Sequence, residues 1–202
     1  TSSLAANTAN DNTAVGQSSL CSNTTGTLNT ALGANALRDN TTGDRNIGLG
    51  YNAIRNAETA CCNVAIGVSA MQNTTTGNDN TAVGNAALQT NSTGTLNTAI
   101  GSSALNSNTT ASNNTAVGYF SLCTNTTGAN NTAVGHIALC SNTTASDNVA
   151  VGDFAVRLNT TGTENVGMGV SSLGSNTTGG RNTAIGRSAM VSNTSSSYAT
   201  AV

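Results

Sequence analysis

The stretch that decides the fold is NTAVGYFSLCTNTTGAN at residues 114–130, which is followed at residues 131–147 by NTAVGHIALCSNTTASD. The two segments have equal length and share most of their residues. From residue 12 onward, eleven segments of this same length follow one another without insertion or deletion. We number the positions of each repeat from its first Asn, so that the repeat reads N-T-A-V-G-x-x-A-L-x-x-N-T-T-G-x-x, a period of seventeen.

Five positions of the repeat hold one residue or one kind of residue throughout. Position 1 is Asn and position 5 is Gly, while positions 4 and 9 are Val, Leu, Ile or Met. Position 3 is Ala or Gly. The repeats begin at Asn12, Asn29, Asn46, Asn63, Asn80, Asn97, Asn114, Asn131, Asn148, Asn165 and Asn182. A fixed period of this size indicates a repeat architecture that fills one domain, residues 1–202.

The period predicts an all-β fold, a parallel β-solenoid (β-helix or β-roll) with one repeat per coil and about 11–12 stacked coils. Seventeen residues are too few for two packed helices, and a composition rich in Asn, Thr and Gly disfavours helix. Short apolar segments between N-T-T-G turns are typical of strands. Neighbouring coils would then pair about 4.8 Å apart, which makes a rod roughly 50 Å long.

Stacking identical residues explains why so few positions vary. We expect the aliphatic residues of positions 4 and 9 to fill the interior, the Asn of position 1 to form an amide ladder, and the Gly of position 5 to adopt a positive φ. Neighbouring strand residues point to opposite faces, so the small residues of positions 3 and 8 would then face outward. Such a smooth stripe suits packing against another rod, and we expect a homotrimer or an end-to-end filament. Corner positions that accept only small residues are the alternative.

The composition argues against several classes of partner. Charged residues make up 7% of the chain and the net charge is −2, so there is no basic surface for nucleic acid. No apolar run approaches the roughly 18 residues of a membrane helix, so we expect no membrane insertion. Neither terminal repeat carries a charged or amphipathic cap, and the sequence is therefore expected to be a segment of a longer fibre.

The N-T-T turn places N-x-S/T sequons at one edge of the predicted rod, where they are candidate N-glycosylation sites. They are Asn23, Asn40, Asn73, Asn91, Asn108, Asn125, Asn142, Asn159, Asn176 and Asn193. Glycans at these residues would form a continuous column in a protein secreted by a glycosylating host. The alternative is that N-T-T-G recurs only because it makes a good turn.

The positions of the cysteines predict one disulfide. The positions of the cysteines and of the single histidine do not predict a catalytic or metal site. Cys123 and Cys140 share position 10 of adjacent coils, and a spacing of about 4.8 Å suits a disulfide and an oxidising compartment. The sequence has no C-x-x-C or Cys/His spacing for zinc and no repeated Asp for calcium, and we expect no cofactor. His136 shares its column with Ser102 and Asp153, but Ser102 lies two coils away, too far for a nucleophile and base.

The phrase NTAVGxxALxxNTTGxxN resembles repeats of phage and viral tail-fibre proteins. Its core, NTAVG at 80–84 and NVAIG at 63–67, resembles the head repeats of YadA-like trimeric autotransporter adhesins. This resemblance implies a parallel β-roll, commonly trimeric, on a virion or cell surface. The head repeats of those adhesins are shorter, so the N-T-T-G turn is an addition here.

Together these features predict a structural extracellular fibre or adhesin shaft, with a glycan coating and contacts to surface glycans or a host receptor as further expectations. The first alternative is an ice-binding β-solenoid, because position 2 is Thr in most coils. Ile47, Val64, Val149 and Val166 interrupt that column. A remote alternative is a polysaccharide-active β-helix enzyme. The chain lacks the clustered carboxylates and basic residues of such sites, so we expect no enzyme.

Overall fold

The strands of the molecule form one parallel sheet whose order follows the chain. A computed structural model describes residues 3–4 and 6–202. Its strands are β1 Thr13–Val15, β2 Thr30–Leu32, β3 Ile47–Leu49, β4 Val64–Ile66, β5 Thr81–Val83, β6 Thr98–Ile100, β7 Thr115–Val117, β8 Thr132–Val134, β9 Val149–Val151, β10 Val166–Met168, β11 Thr183–Ile185 and β12 Thr200–Ala201. Each strand pairs with the next so that equivalent repeat positions face each other, as Thr98 faces Thr115. The predicted parallel β-solenoid with one repeat per coil is confirmed.

Strands β1 to β11 each cover positions 2 to 4 of a coil and are followed by the Gly of position 5, whereas β12 covers positions 2 and 3. Gly84 has a φ of +138°, and a Cβ atom there would lie 2.6 Å from the carbonyl carbon of Gly101 in the next coil. Only Gly combines this backbone conformation with so close an approach of two chains. The column of glycines therefore makes the corner where the chain leaves the sheet, as the sequence predicts.

Several columns of backbone amides also join the coils outside the strands, and two of them serve as examples. The Leu20 N–H donates to the Ala36 carbonyl at 3.0 Å, which joins position 9 to position 8 of the next coil. The Thr24 N–H donates to the Thr41 carbonyl at 2.9 Å, which joins position 13 to position 13. Because these bonds recur from coil to coil, the turns as well as the strands are hydrogen-bonded along the rod.

The expected orientation of positions 3, 4 and 8 is wrong, because the small residues of positions 3 and 8 face inward and the aliphatic residues of position 4 face outward. The Ala residues of position 3, such as Ala99 and Ala116, are fully buried, whereas Ile100 and Val134 of position 4 are exposed on the outer side of the sheet. The interior is too narrow for two opposed large side chains. Its apolar part holds Leu, Ile, Met or Val of position 9 against Ala or Gly of position 3 and Ala or Ser of position 8.

Three positions of each coil adopt left-handed backbone conformations without Gly. They are positions 7, 9 and 17, represented by Ser103 (φ 56°), Leu105 (φ 50°) and Asn113 (φ 62°). Such a conformation costs an L-residue roughly 1–2 kcal/mol. At position 9 the burial of a large apolar side chain, about 1.5–3 kcal/mol, offsets that cost.

Candidate functional site

The sequon asparagines of position 12 lie inside the coil. Eight of the ten candidates are fully buried, namely Asn23, Asn40, Asn91, Asn108, Asn125, Asn142, Asn159 and Asn176. The Asn125 Nδ2 donates to Oδ1 of Asn108 at 3.0 Å and to the Gly128 carbonyl at 2.9 Å. A glycan on such a nitrogen would have no space and would remove the amide from its ladder. This arrangement argues against a glycan column, and only glycosylation of the partly exposed Asn73 and Asn193 stays a prediction.

A second amide ladder runs along position 1, as the sequence predicts. The Oδ1 of Asn80 accepts the Asn97 backbone N–H at 2.9 Å and the Asn97 Nδ2 at 3.1 Å. The same Nδ2 donates to the carbonyl of Ala111 at 2.9 Å, which closes the coil onto its own position 15. Since every polar atom in this chain of bonds has a partner, the ladder stabilises a buried polar wall opposite the apolar one.

The position-12 ladder is interrupted in the third and fourth coils. Position 12 is Ala57 in one coil and Thr74 in the next. Buried Asn40 Oδ1 and Thr74 Oγ1 consequently have no hydrogen-bond partner. The interruption is the weakest point that we find in the described part of the ladder.

Cys123 and Cys140 form a disulfide between adjacent coils, with their Cα atoms 5.0 Å apart. Cys21, at the same position 10 of the first coil, is a free thiol, as are Cys61 and Cys62. The Cys62 side chain hydrogen-bonds to Cys61, and this bond, together with burial, raises the pKa of Cys61 to about 11. Cys61 is therefore a poor nucleophile at neutral pH.

The outer side of the sheet is an uncharged surface with a row of aliphatic side chains, and we call positions 2 and 4 of all coils the outer sheet face. Position 4 supplies a row of aliphatic side chains, of which Val15, Leu32, Ile66, Ile100, Val134, Met168 and Ile185 are between 36% and 57% exposed. Position 2 supplies Thr, Val or Ile. No charged residue occupies either position from Thr13 to Val202, so a strip about 50 Å long is free of charge.

In the position-6 column, His136 contacts Asp153 of the next coil, whereas Ser102 lies two coils away and contacts neither residue. The His136 Nδ1 lies 2.8 Å from Oδ1 of Asp153, and both side chains are about half exposed. Two coils before His136, the Ser102 carbonyl accepts the backbone N–H of Phe120. The pair therefore lies at the surface next to aromatic residues. Its neighbours include Tyr119, whose ring stacks on His136 with centroids 5.7 Å apart.

The sequence analysis missed the clustering of aromatic residues around His136 because it considered the residues of position 6 without those of position 7. Phe120 and Phe154 occupy position 7, and their rings contact those of Tyr119 and His136. The signal was available, since the whole chain has only two Phe and three Tyr residues. Three of those five lie within coils seven to nine.

Residues 3–4 and 6–202 contain no candidate metal centre, because no group of three or more His, Cys, Asp or Glu side chains lies together there. The same part of the chain contains no helix that could span a membrane. No protein-family model matches the chain, and no curated protein or solved structure matches it.

Proposed function

We propose that the chain is a shaft segment of an extracellular or virion-surface fibre, in which copies pack side by side as a homotrimer through the outer sheet face. The observation that carries this proposal is the row of aliphatic residues at position 4, all exposed or half-buried and in register over the whole sheet. Exposed apolar patches of more than a few hundred Å² mark interaction surfaces on soluble proteins.

The properties of the coil also suit a shaft. Each coil contacts only its neighbours, through backbone hydrogen bonds and two Asn ladders, so that length is gained by adding coils. The Cys123–Cys140 disulfide fits an oxidising compartment such as the exterior of a cell. The resemblance of the repeat to tail-fibre and adhesin repeats supports the same assignment. An end-to-end filament is a second mode of association for the same rod.

The mass of the particle in solution tests the proposal. Native mass spectrometry is expected to give three times the 19.9 kDa of one chain. Placing carboxylates in the centre of the face, with Ile100→Asp and Val117→Asp together, should give folded single chains, because both side chains point away from the core. Thr144→Asp, at an exposed turn position, is the matched control and should leave the trimer intact. A wild-type protein that keeps the mass of a single chain at micromolar concentration contradicts the proposal.

Ice binding is a second candidate, and one observation favours it. The threonines of position 2 lie on the outer side of the sheet, and four coils carry Thr81, Thr98, Thr115 and Thr132 in succession. Their hydroxyl and methyl groups repeat about every 4.8 Å beside the aliphatic row. Such a face could order water instead of a second chain.

Thermal hysteresis distinguishes the two candidates because they use the same face. If the face binds ice, micromolar protein lowers the freezing point below the melting point, and Thr98→Glu with Thr115→Glu abolishes the effect. If the face binds other copies, the wild-type trimer shows no hysteresis.

A further inference from the structure

A surface cluster of aromatic and charged side chains lies beside the strands of coils seven to nine. It consists of Tyr119, Phe120, His136, Phe154 and Arg157, which we call the aromatic patch. The Tyr119 ring stacks on His136 at an interplanar angle of 17°, and His136 meets Phe154 edge-on with centroids 5.1 Å apart. Tyr119 is 52% exposed. The rings follow one another over three coils, a length of about 10 Å, and present apolar faces and edges to solvent.

Polar groups border these rings. The Arg157 guanidinium carbon lies 5.4 Å from the centroid of Phe154, within the range of a cation–π contact. No hydrogen bond or ion pair joins its guanidinium to any other residue that the structure describes. The nearby carboxylate of Asp153 is held by His136 at 2.8 Å. The patch therefore combines exposed aromatic rings with one cation that lacks a carboxylate partner.

A cleft of about 140 Å³ adjoins the patch. It is lined by Phe154, Arg157, Ser171, Gly174, Ser175 and Val191. Two hydroxyl groups, a guanidinium and one ring thus face a space much smaller than the 300–1,000 Å³ of sites for drug-sized ligands. A single sugar ring has a suitable size.

We propose that the aromatic patch and its cleft bind an acidic saccharide, a glycan whose terminal or repeating sugar carries a carboxylate. The apolar C–H face of a pyranose packs on an aromatic ring, while its hydroxyls bond to Ser171 and Ser175. The carboxylate takes the two parallel hydrogen bonds that an arginine offers. This inference rests on the proposed function, since it gives the fibre shaft a contact for a glycan-bearing surface.

A comparison within the chain supports the choice of Arg157. Arg181 also lies over an aromatic ring, that of Tyr198 at 5.3 Å, and borders a second cleft. Glu164 already accepts from Arg181 Nε at 3.0 Å. The cation at that cleft is thus neutralised from within the chain, whereas the cation at the aromatic patch is not.

A printed array of neutral, sulfated, sialylated and uronic-acid glycans is the first test, with isothermal titration calorimetry on the acidic glycan that gives the strongest signal. We expect binding to carboxylated glycans that weakens when salt is raised. Phe154→Ala and Arg157→Ala, which remove the ring and the cation that line the cleft, should each weaken it at least tenfold. Tyr51→Ala and Arg45→Ala, which remove an exposed aromatic and an exposed arginine from earlier coils, are the matched controls and should leave it unchanged.

Two results would overturn the proposal: no carboxylated glycan bound by the wild-type chain, or binding that both patch variants retain. Native mass spectrometry on the same samples reports whether the trimer is present. A trimer that binds no glycan defeats the glycan inference and leaves the fibre role standing. Glycan binding by a protein that remains a single chain defeats the proposed trimeric fibre and supports the glycan inference. Circular dichroism of each variant checks that the solenoid is folded.

Discussion

Gly167 lies so close to Val156 that a Cβ atom on Gly167 would overlap with Cγ2 of the valine. These residues occupy position 3 of one coil and position 9 of the coil before it. One coil earlier, the equivalent residues are Ala150 and Leu139, both fully buried. The β-branched side chain at residue 156 fills the space that an Ala methyl group occupies elsewhere. The two positions thus adjust to each other within a narrow interior.

Gly167→Ala should lower the free energy of unfolding by about 1–3 kcal/mol, because the interior has no room for the methyl group. For a chain of this size each kcal/mol corresponds to roughly 2–4 °C in Tm. Gly48→Ala is the matched control and should cost less, since the atoms nearest to a Cβ there would be the Ala53 carbonyl oxygen at 3.3 Å and Leu37 Cγ at 3.4 Å. Val156→Leu should rescue Gly167→Ala in a calorimetric double-mutant cycle. Equal Tm values for both Gly→Ala variants would contradict this packing.

Ala57→Asn should stabilise the protein by restoring the position-12 ladder. The new amide can donate to Asn40 Oδ1 and its oxygen can accept from Thr74 Oγ1, and both of these atoms now lack partners. A buried hydrogen bond is worth about 1 kcal/mol, so Tm should rise by a few degrees. Thermal unfolding followed by circular dichroism measures the change. An unchanged or lower Tm would show that the third coil does not have the geometry of its neighbours.

Cys140→Ser should destabilise the chain by about 3 kcal/mol, because the Cys123–Cys140 bond closes a loop in the unfolded state between residues separated by 17 positions. Non-reducing peptide mapping should first show the linked pair. Cys21→Ser changes the same position in the first coil, where the thiol is free, and should leave Tm nearly unchanged. A similar decrease in Tm for both variants would mean that the disulfide stabilises the protein no more than the packing of a cysteine side chain does.

Alkylation of Cys61 at pH 8 should be about a hundredfold slower in the folded protein than in the unfolded chain. The thiol pKa is raised from 9.0 to about 11, and only the thiolate reacts. The rate should therefore rise roughly tenfold with each pH unit above 8 and level off only near the thiol pKa of about 11. Cys62→Ala removes the hydrogen bond that is the main cause of the raised pKa, so alkylation of Cys61 should become faster. Mass spectrometry of iodoacetamide-treated peptides gives the rates, and equal rates in folded and unfolded chains would refute the shifted pKa.

The period alone was enough to predict the fold, because eleven repeats with fixed Gly16 and its counterparts leave few other architectures. The same pattern could not decide which of two neighbouring strand residues faces inward. Alternation requires only that Ala116 and Val117 point to opposite sides. Size favoured the valine as the core residue, but Leu122 of position 9 already fills the interior and leaves room only for a methyl group.

The position-12 asparagines show a second limit of sequence reasoning. N-x-T triplets such as the one at Asn108 satisfy both a glycosylation signal and a turn signal, and only burial separates the two. The left-handed residues of position 9 carry no sequence signal, since Leu is unusual in that conformation. At position 17, by contrast, Asn and Asp recur, as in Asn130 and Asp147, and these residue types do indicate a left-handed backbone conformation.

Disulfide trapping at the outer sheet face tests the central claim most directly, because it reports orientation and association together. In a background with Cys21, Cys61 and Cys62 changed to Ser, Val117→Cys should form inter-chain disulfides under mild oxidation. Ala116→Cys, one residue earlier, points into the coil and should form none. Inter-chain bonds through residue 117 alone are the predicted result. A Val117→Cys chain that stays monomeric and freely alkylated, or cross-links through residue 116, would contradict a fibre assembled through this face.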